Sequence, residues 1–144
     1  MILEMSASEI DEFVISQKIG RVGCHVSGET YVVPVIYAWD ADCIYVYTTE
    51  GKKIEMMREN PHVCFEIDDY QANGGWRSVI VQGVFEELGG DDAVGALRII
   101  SERVRSNRDA ERSGERGSRG AGRTPVAFRI RARVVTGRKV DVES

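Results

Sequence analysis

The chain predicts a mainly β fold with peripheral helices, a six-stranded antiparallel barrel, on three observations. Stretches rich in Val, Ile and Tyr alternate with a period of two, short turn signals separate them, and the helical patterns are few and amphipathic. The 144 residues suit a single domain, 1–144, long enough to bury a hydrophobic core without staples.

The elements follow in chain order. Ser8 precedes Ile10, Phe13, Val14 and Gln17, with Asp11 three residues on, which predicts a capped amphipathic helix of about three turns that lids the core. Strands are expected over 19–26 and 30–39, paired antiparallel through a hairpin at Ser27-Gly28-Glu29. In the second of these, Tyr31, Val33, Val35 and Tyr37 share one face and Val32, Pro34 and Ile36 the other. Neither face is made for water, so the strand is buried on both sides or one side meets a partner. Pro34 has no N–H to give a ladder, which places it at an edge, a bulge, or beside something other than a strand, such as a ligand.

Cys43 to Thr48 reads as the next strand, and 50–60 as a short helix that turns Ile54 and Met57 inward and ends at Asn60-Pro61. Val63, Phe65 and Ile67 then alternate with polar residues in a half-exposed strand. It leads through Gln71-Ala72-Asn73-Gly74 to a strand over 76–88. A turn at Gly89-Gly90-Asp91 opens a further helix in which Val94, Leu97, Ile100 and Val104 recur at helical spacing. Residues 105–123 lose all periodicity and are filled with Arg, Ser, Gly and Glu, a composition expected of a mobile loop. The last strand has Val126, Phe128, Ile130, Ala132 and Val134 inward against Ala127, Arg129, Arg131 and Arg133 outward.

Charge and cysteine usage narrow the function classes. A formal charge of −4 gives no overall basic field. The arginines of 105–123 offer contacts to nucleic acid or to a phosphorylated substrate, but Glu102, Asp109, Glu111 and Glu115 break up their charge and no aromatic interleaves to stack bases, so a solvated loop is expected instead. Cys24, Cys43 and Cys64 are odd in number, lack C-x-x-C spacing and sit in apolar runs, as free thiols of a reducing compartment do. No N-terminal leader pattern is visible, and no run approaches the roughly 18 apolar residues that span a bilayer. A soluble cytoplasmic protein is therefore expected. His25 and His62 lie outside any Cys/His cluster with ligand spacing, so they read as strand-surface residues and no metal site is predicted.

One stretch carries chemistry. In Thr48-Thr49-Glu50-Gly51-Lys52-Lys53 two hydroxyls and two ammonium groups lie where a strand hands over to a helix. A helix start presents unpaired N–H groups to which an anion binds. Two lysines there oppose the helix dipole unless an anion joins them. The pattern suits a phosphate monoester. No serine, cysteine or carboxylate constellation offers a hydrolytic role, so no side chain is assigned as catalytic.

Five segments in order, 31–37 (Tyr-Val-Val-Pro-Val-Ile-Tyr), 44–48 (Ile-Tyr-Val-Tyr-Thr), Gly51-Lys52-Lys53, 59–66 (Glu-Asn-Pro-His-Val-Cys-Phe-Glu) and 75–79 (Gly-Trp-Arg-Ser-Val), resemble the flavin-binding split-barrel family. That family includes the pyridoxamine 5'-phosphate oxidases and, more similar to this chain, the nitroimidazole-resistance (Nim) proteins. The similarity covers about residues 8 to 88, and Thr136-Gly137-Arg138 is similar to the family's last-strand ending.

The resemblance implies a six-stranded Greek-key split β-barrel and a homodimer with two FMN molecules at its interface. It makes Lys52 and Lys53 the phosphate clamp, Thr48 a phosphate-side hydroxyl with Tyr47 beside it, and the backbone of Val33, Pro34, Val35 and Ile36 the edge that lines the isoalloxazine. Trp76 and Arg77 fall near the flavin or the facing subunit, and Ser78 aligns with a flavin contact that is glutamine in the oxidases. The oxidases' C-terminal substrate-binding extension has no counterpart, so their reaction is not expected. The implied activity is that of an FMN-dependent oxidoreductase, nitroreductase-like, fed by a reduced nicotinamide and acting on a small molecule. A non-catalytic flavin carrier or sensor is the alternative, ahead of a nucleic-acid-binding barrel.

Overall fold

The computed structural model describes residues 1–106 and 123–142. The elements are β1 (Leu3–Glu4), α1 (Ala7–Ser16), β2 (Ile19–Val26), β3 (Glu29–Ile36), β4 (Ala38–Asp40), β5 (Cys43–Thr49), α2 (Lys52–Glu59), β6 (His62–Tyr70), β7 (Trp76–Leu88), α3 (Gly90–Ser106) and β8 (Pro125–Val140). The strands form one antiparallel sheet in the order β3-β2-β6-β7-β8-β5-β4, with β1 paired to β8. The mainly β class with peripheral helices holds, but the described strands number eight rather than six.

One of the two extra strands, β4, was read as the end of its predecessor. At Tyr37 the chain leaves β3: the Tyr37 N–H donates to the Lys18 carbonyl at 3.1 Å and the phenol to the Val14 carbonyl at 2.6 Å. The ring stands edge-on to Phe65, with centroids 5.3 Å apart. After this one residue the chain joins the opposite end of the sheet as β4. Consecutive strands thus occupy the two ends of the strand order, so the sheet curls until its ends approach without pairing. The result is an open seam rather than a closed barrel.

The interior of the curl is apolar. Ile44, Ile54, Met57, Phe65, Ile67, Val79, Val81, Phe128 and Ile130 are fully buried, each contributing about 1.5–3 kcal/mol by burial. Helix α1 lids one end with Phe13 and Val14. Its cap is Ser6, not Ser8: the Glu9 N–H donates to Ser6 Oγ and the Ser6 N–H to Glu9 Oε1, a reciprocal pair that Ser8, already inside the helix, cannot make. The β2–β3 hairpin turns on Ser27 and Gly28, both at positive φ, as its two-residue loop requires.

Two predicted faces needed correction. The β7–β8 register jumps between Gln82, paired with Val134, and Gly83, paired with Ala132, leaving Arg133 as the extra residue of a bulge. Beyond it the inward face passes to Val135 and Gly137, and Val134 is exposed. In α3 the packed residues are Ala96, Ile99 and Ile100, against Cys43 and Tyr45 of β5, while Val94 is exposed. The helix continues to Ser106, so the start of the stretch expected as a mobile loop is helical; residues 107–122 lie outside the described residues.

Candidate functional site

The seam between β3 and β5 holds a groove of about 530 Å³ lined by Ile19, Pro34, Val35, Ile36, Val46, Tyr47, Thr48, Thr49 and Lys53. One wall is the edge strand β3, the first in the sheet order, so Pro34 sits at an edge, where its missing N–H breaks no second ladder. The other wall is the end of β5, where Thr48 pairs with Val126 and Thr49 with Pro125 of β8. The floor is apolar. The end beside α2 is polar, with two hydroxyls and an ammonium.

Local bonds fix that polar end. The Glu50 N–H donates to the Thr124 carbonyl at 2.8 Å, tying the turn to the start of β8. The Glu50 carboxylate takes both Arg58 Nη atoms, at 2.9 and 2.7 Å, and Arg58 also grips Glu87 through Nε at 2.7 Å. The N-cap of helix α2 is Gly51, which supplies no side-chain cap. The turn's acid is thus drawn onto Arg58.

Of the eleven residues predicted for the site, six line the groove together: Pro34, Val35, Ile36, Tyr47, Thr48 and Lys53. Val33 lies on the same strand but packs against the core. Lys52 is turned away, 2.6 Å from Glu29 Oε2 and 4.9 Å above the Tyr31 ring. Trp76, Arg77 and Ser78 stand at the start of β7, outside the groove lining. Arg77 pairs with Asp69 at 3.0 Å and lies over the Phe13 ring at 4.6 Å, and Ser78 Oγ reaches Glu66 at 3.5 Å.

Burial, and then the neighbouring Arg123, holds the Lys53 ammonium below the usual lysine value. Glu29 acts oppositely on Lys52, whose value is raised chiefly by that hydrogen bond. Adjacent lysines therefore differ: one is compensated from within the chain, and the other shares its surroundings with a second cation. Sequence reasoning missed Ile19 and Val46 of the groove lining and the nearness of Arg123 to Lys53, whereas Thr49 is one of the two hydroxyls it placed in the turn. Ile19 was recoverable, since the Ser27-Gly28 turn fixes the register that sets Ile19 opposite Ile36. Arg123 carried no local signal, lying at the end of an aperiodic stretch.

Cys24 and Cys43 are buried and Cys64 half-buried, all as free thiols. The His25 ring bonds to Thr30 Oγ1 at 2.9 Å, and among the described residues no three His, Cys, Asp or Glu side chains gather as a metal site. No helix among the described residues is long and apolar enough to cross a membrane.

Together these features define a split β-barrel protein whose open seam holds a groove with hydroxyls and an ammonium at one end. The family model for pyridoxamine 5'-phosphate oxidase matches residues 6–139, and the chain belongs to that family. Among solved structures, an FAD-binding protein of Mesorhizobium loti is 30% identical, with a TM-score of 0.80 over 99% of this chain and 98% of that one. A protein described as a candidate 5-nitroimidazole antibiotic resistance protein, from Bacteroides thetaiotaomicron, shares the fold at 21% identity and a TM-score of 0.76, over 96% and 87% of the two chains. An uncharacterized protein of Rhizobium meliloti, RA0666, is 34% identical over 84 residues, 58% of this chain and 56% of that protein.

Proposed function

We propose that the chain binds FMN in the β3/β5 groove and acts as a flavin-dependent oxidoreductase on a small acceptor such as a nitroaromatic compound, with a reduced nicotinamide as electron donor. The observation that carries this reading is the polarity of one groove: hydroxyls and a carboxylate-free lysine at one end, and an apolar floor with a strand edge at the other. A flavin phosphate needs the first and an isoalloxazine ring the second. The donor set thus fits the cofactor. Thr48, Thr49 and Lys53 would hold the phosphate, and the Pro34–Ile36 edge would orient the ring. The family membership and the FAD-binding Mesorhizobium relative support a flavin. The short turn favours a mononucleotide.

The chemistry a bound flavin supplies is reversible electron transfer, and the protein's part is binding, orientation and exclusion of water. Among the described residues no carboxylate, histidine or cysteine lines the groove, in keeping with a cofactor that carries the reaction. The dimer is proposed on the outer face of the sheet, where Val32 is 59% exposed, Ile36 60% and Val134 57%. These side chains would be covered by a second copy. Ser78 lies on that same face by strand alternation, so it would reach the site from the partner rather than from its own chain. Cytoplasmic residence, consistent with three free thiols, belongs to the same reading.

Mass spectrometry of the small molecule released on denaturation tests the cofactor. FMN supports the reading, FAD corrects it to another flavin, and a colourless chain that takes up neither overturns it. Consumption of NADH or NADPH with a nitroaromatic acceptor tests the enzyme. Flavin binding without turnover with any donor would leave a carrier.

A further inference from the structure

The charges around the α2 turn do not balance. Lys52 is neutralised by Glu29, and Glu50 by Arg58. Lys53 and Arg123 remain, and among the described residues neither has a carboxylate within ion-pair distance. The Arg123 Nη1 atom lies 3.9 Å from where a β-carbon on Gly51 would stand, beside the start of the helix. The backbone that carries this exposed side chain to the turn is pinned, because the Thr124 carbonyl accepts the Glu50 N–H and Pro125 pairs with Thr49. Two cations drawn together at the end of a groove, with the nearby acids engaged elsewhere, repel each other until an anion joins them.

We infer that Arg123 is the second cation of the anion site, closing with Lys53 and the Thr48 and Thr49 hydroxyls on a phosphate dianion, and that Lys52 is not part of that clamp. The inference rests on the flavin reading for its ligand but not for its site. It assigns a binding role to a residue at the end of the aperiodic stretch, seventy positions after Lys53. Guanidinium adds a planar pair of donors that a lysine cannot supply, which suits two phosphate oxygens at once. The depressed Lys53 ammonium agrees, since Arg123 is one of its named causes.

The test measures FMN and riboflavin affinity by quenching of flavin fluorescence, at two salt concentrations, for wild type, Arg123→Gln, Arg123→Lys and Lys52→Gln. A charge-assisted bond of the ordinary size predicts that Arg123→Gln weakens FMN roughly 10- to 100-fold. Riboflavin, which lacks the phosphate, should bind the variant as it binds wild type, an outcome that a general structural defect would not give. Arg123→Lys should restore part of the loss, and Lys52→Gln should cost at most a few-fold. Equal FMN affinity in wild type and Arg123→Gln, or equal losses for both ligands, would overturn the inference. Inorganic phosphate, followed by phosphorus NMR, separates the two readings. Phosphate binding that Arg123→Gln abolishes, in a chain that takes no flavin, would sink the flavin and keep the clamp. Binding of neither would sink both.

Discussion

The β7–β8 ladder and the β3/β5 seam are both places where strands could meet, yet one is sealed and the other is open. The sealed side runs thirteen pairs from Trp76–Val140 to Leu88–Ala127, interrupted by one bulge at Arg133. The open side has Pro34 in its edge strand and a one-residue passage at Tyr37 that sends the chain to the far end of the sheet. Sealing comes from donors and acceptors that return to register past a single bulge. Opening comes from a missing donor and a chain that cannot stay. A sheet edge left unpaired is ordinarily a liability, and here it borders the groove.

The sharpest way to break the sealed side is Gly83→Ala. A β-carbon there would stand 2.6 Å from the Arg131 carbonyl oxygen and 2.7 Å from Ile130 Cγ2, so the bulge must shift. The expected loss is roughly 1–3 kcal/mol in urea unfolding, and a variant as stable as wild type would mean that the bulge is not tightly packed. On the open side Lys53→Gln should act on ligand and not on fold. Unfolding stability of the ligand-free protein should change by no more than about 0.5 kcal/mol, because the ammonium is disfavoured by burial and by Arg123, while FMN affinity should fall about 10-fold or more. A large loss of stability would show that Lys53 is structural.

Tyr37→Phe probes the passage between the two regions. The buried Val14 carbonyl loses its donor, for an expected cost of about 1 kcal/mol by thermal or urea unfolding, with the Phe65 contact retained. The smallest effect is expected at Glu66, on the outer face. Burial, with Asp68 beside it, raises this carboxyl above its ordinary value despite Arg21. A carboxyl raised in the folded state favours folding when protonated, so stability falls as pH climbs through the raised value. Glu66→Gln should therefore lift Tm by on the order of 1–2 °C near neutral pH, and the gain should vanish below the ordinary carboxylate range. An equal gain at both pH values would remove the titration as its cause.

Much of the fold was legible because its signals are local. The hairpin around Ser27-Gly28-Glu29, of which Glu29 already belongs to β3, the short helix placing Ile54 and Met57 inward, and the period-two strands follow from neighbouring residues alone. The errors were of a different kind. Val134 was turned inward because a strict period of two has no means of anticipating a bulge that depends on what Gly83 faces across the ladder. Strand 30–39 was left whole because the Tyr37 break depends on carbonyls of α1 and the loop that follows it.

The site divides in the same manner. The Thr48–Lys53 turn carries residue types and a spacing that suit an anion, and these are properties of the chain by itself. Which lysine faces the groove was settled by Glu29, brought across from the β2–β3 hairpin, and Arg123 entered the neighbourhood through the β5–β8 ladder. Periodicity and turn chemistry act over a few residues and survive as sequence. Charge compensation and register bulges act through space between distant segments, and only the folded sheet decides them.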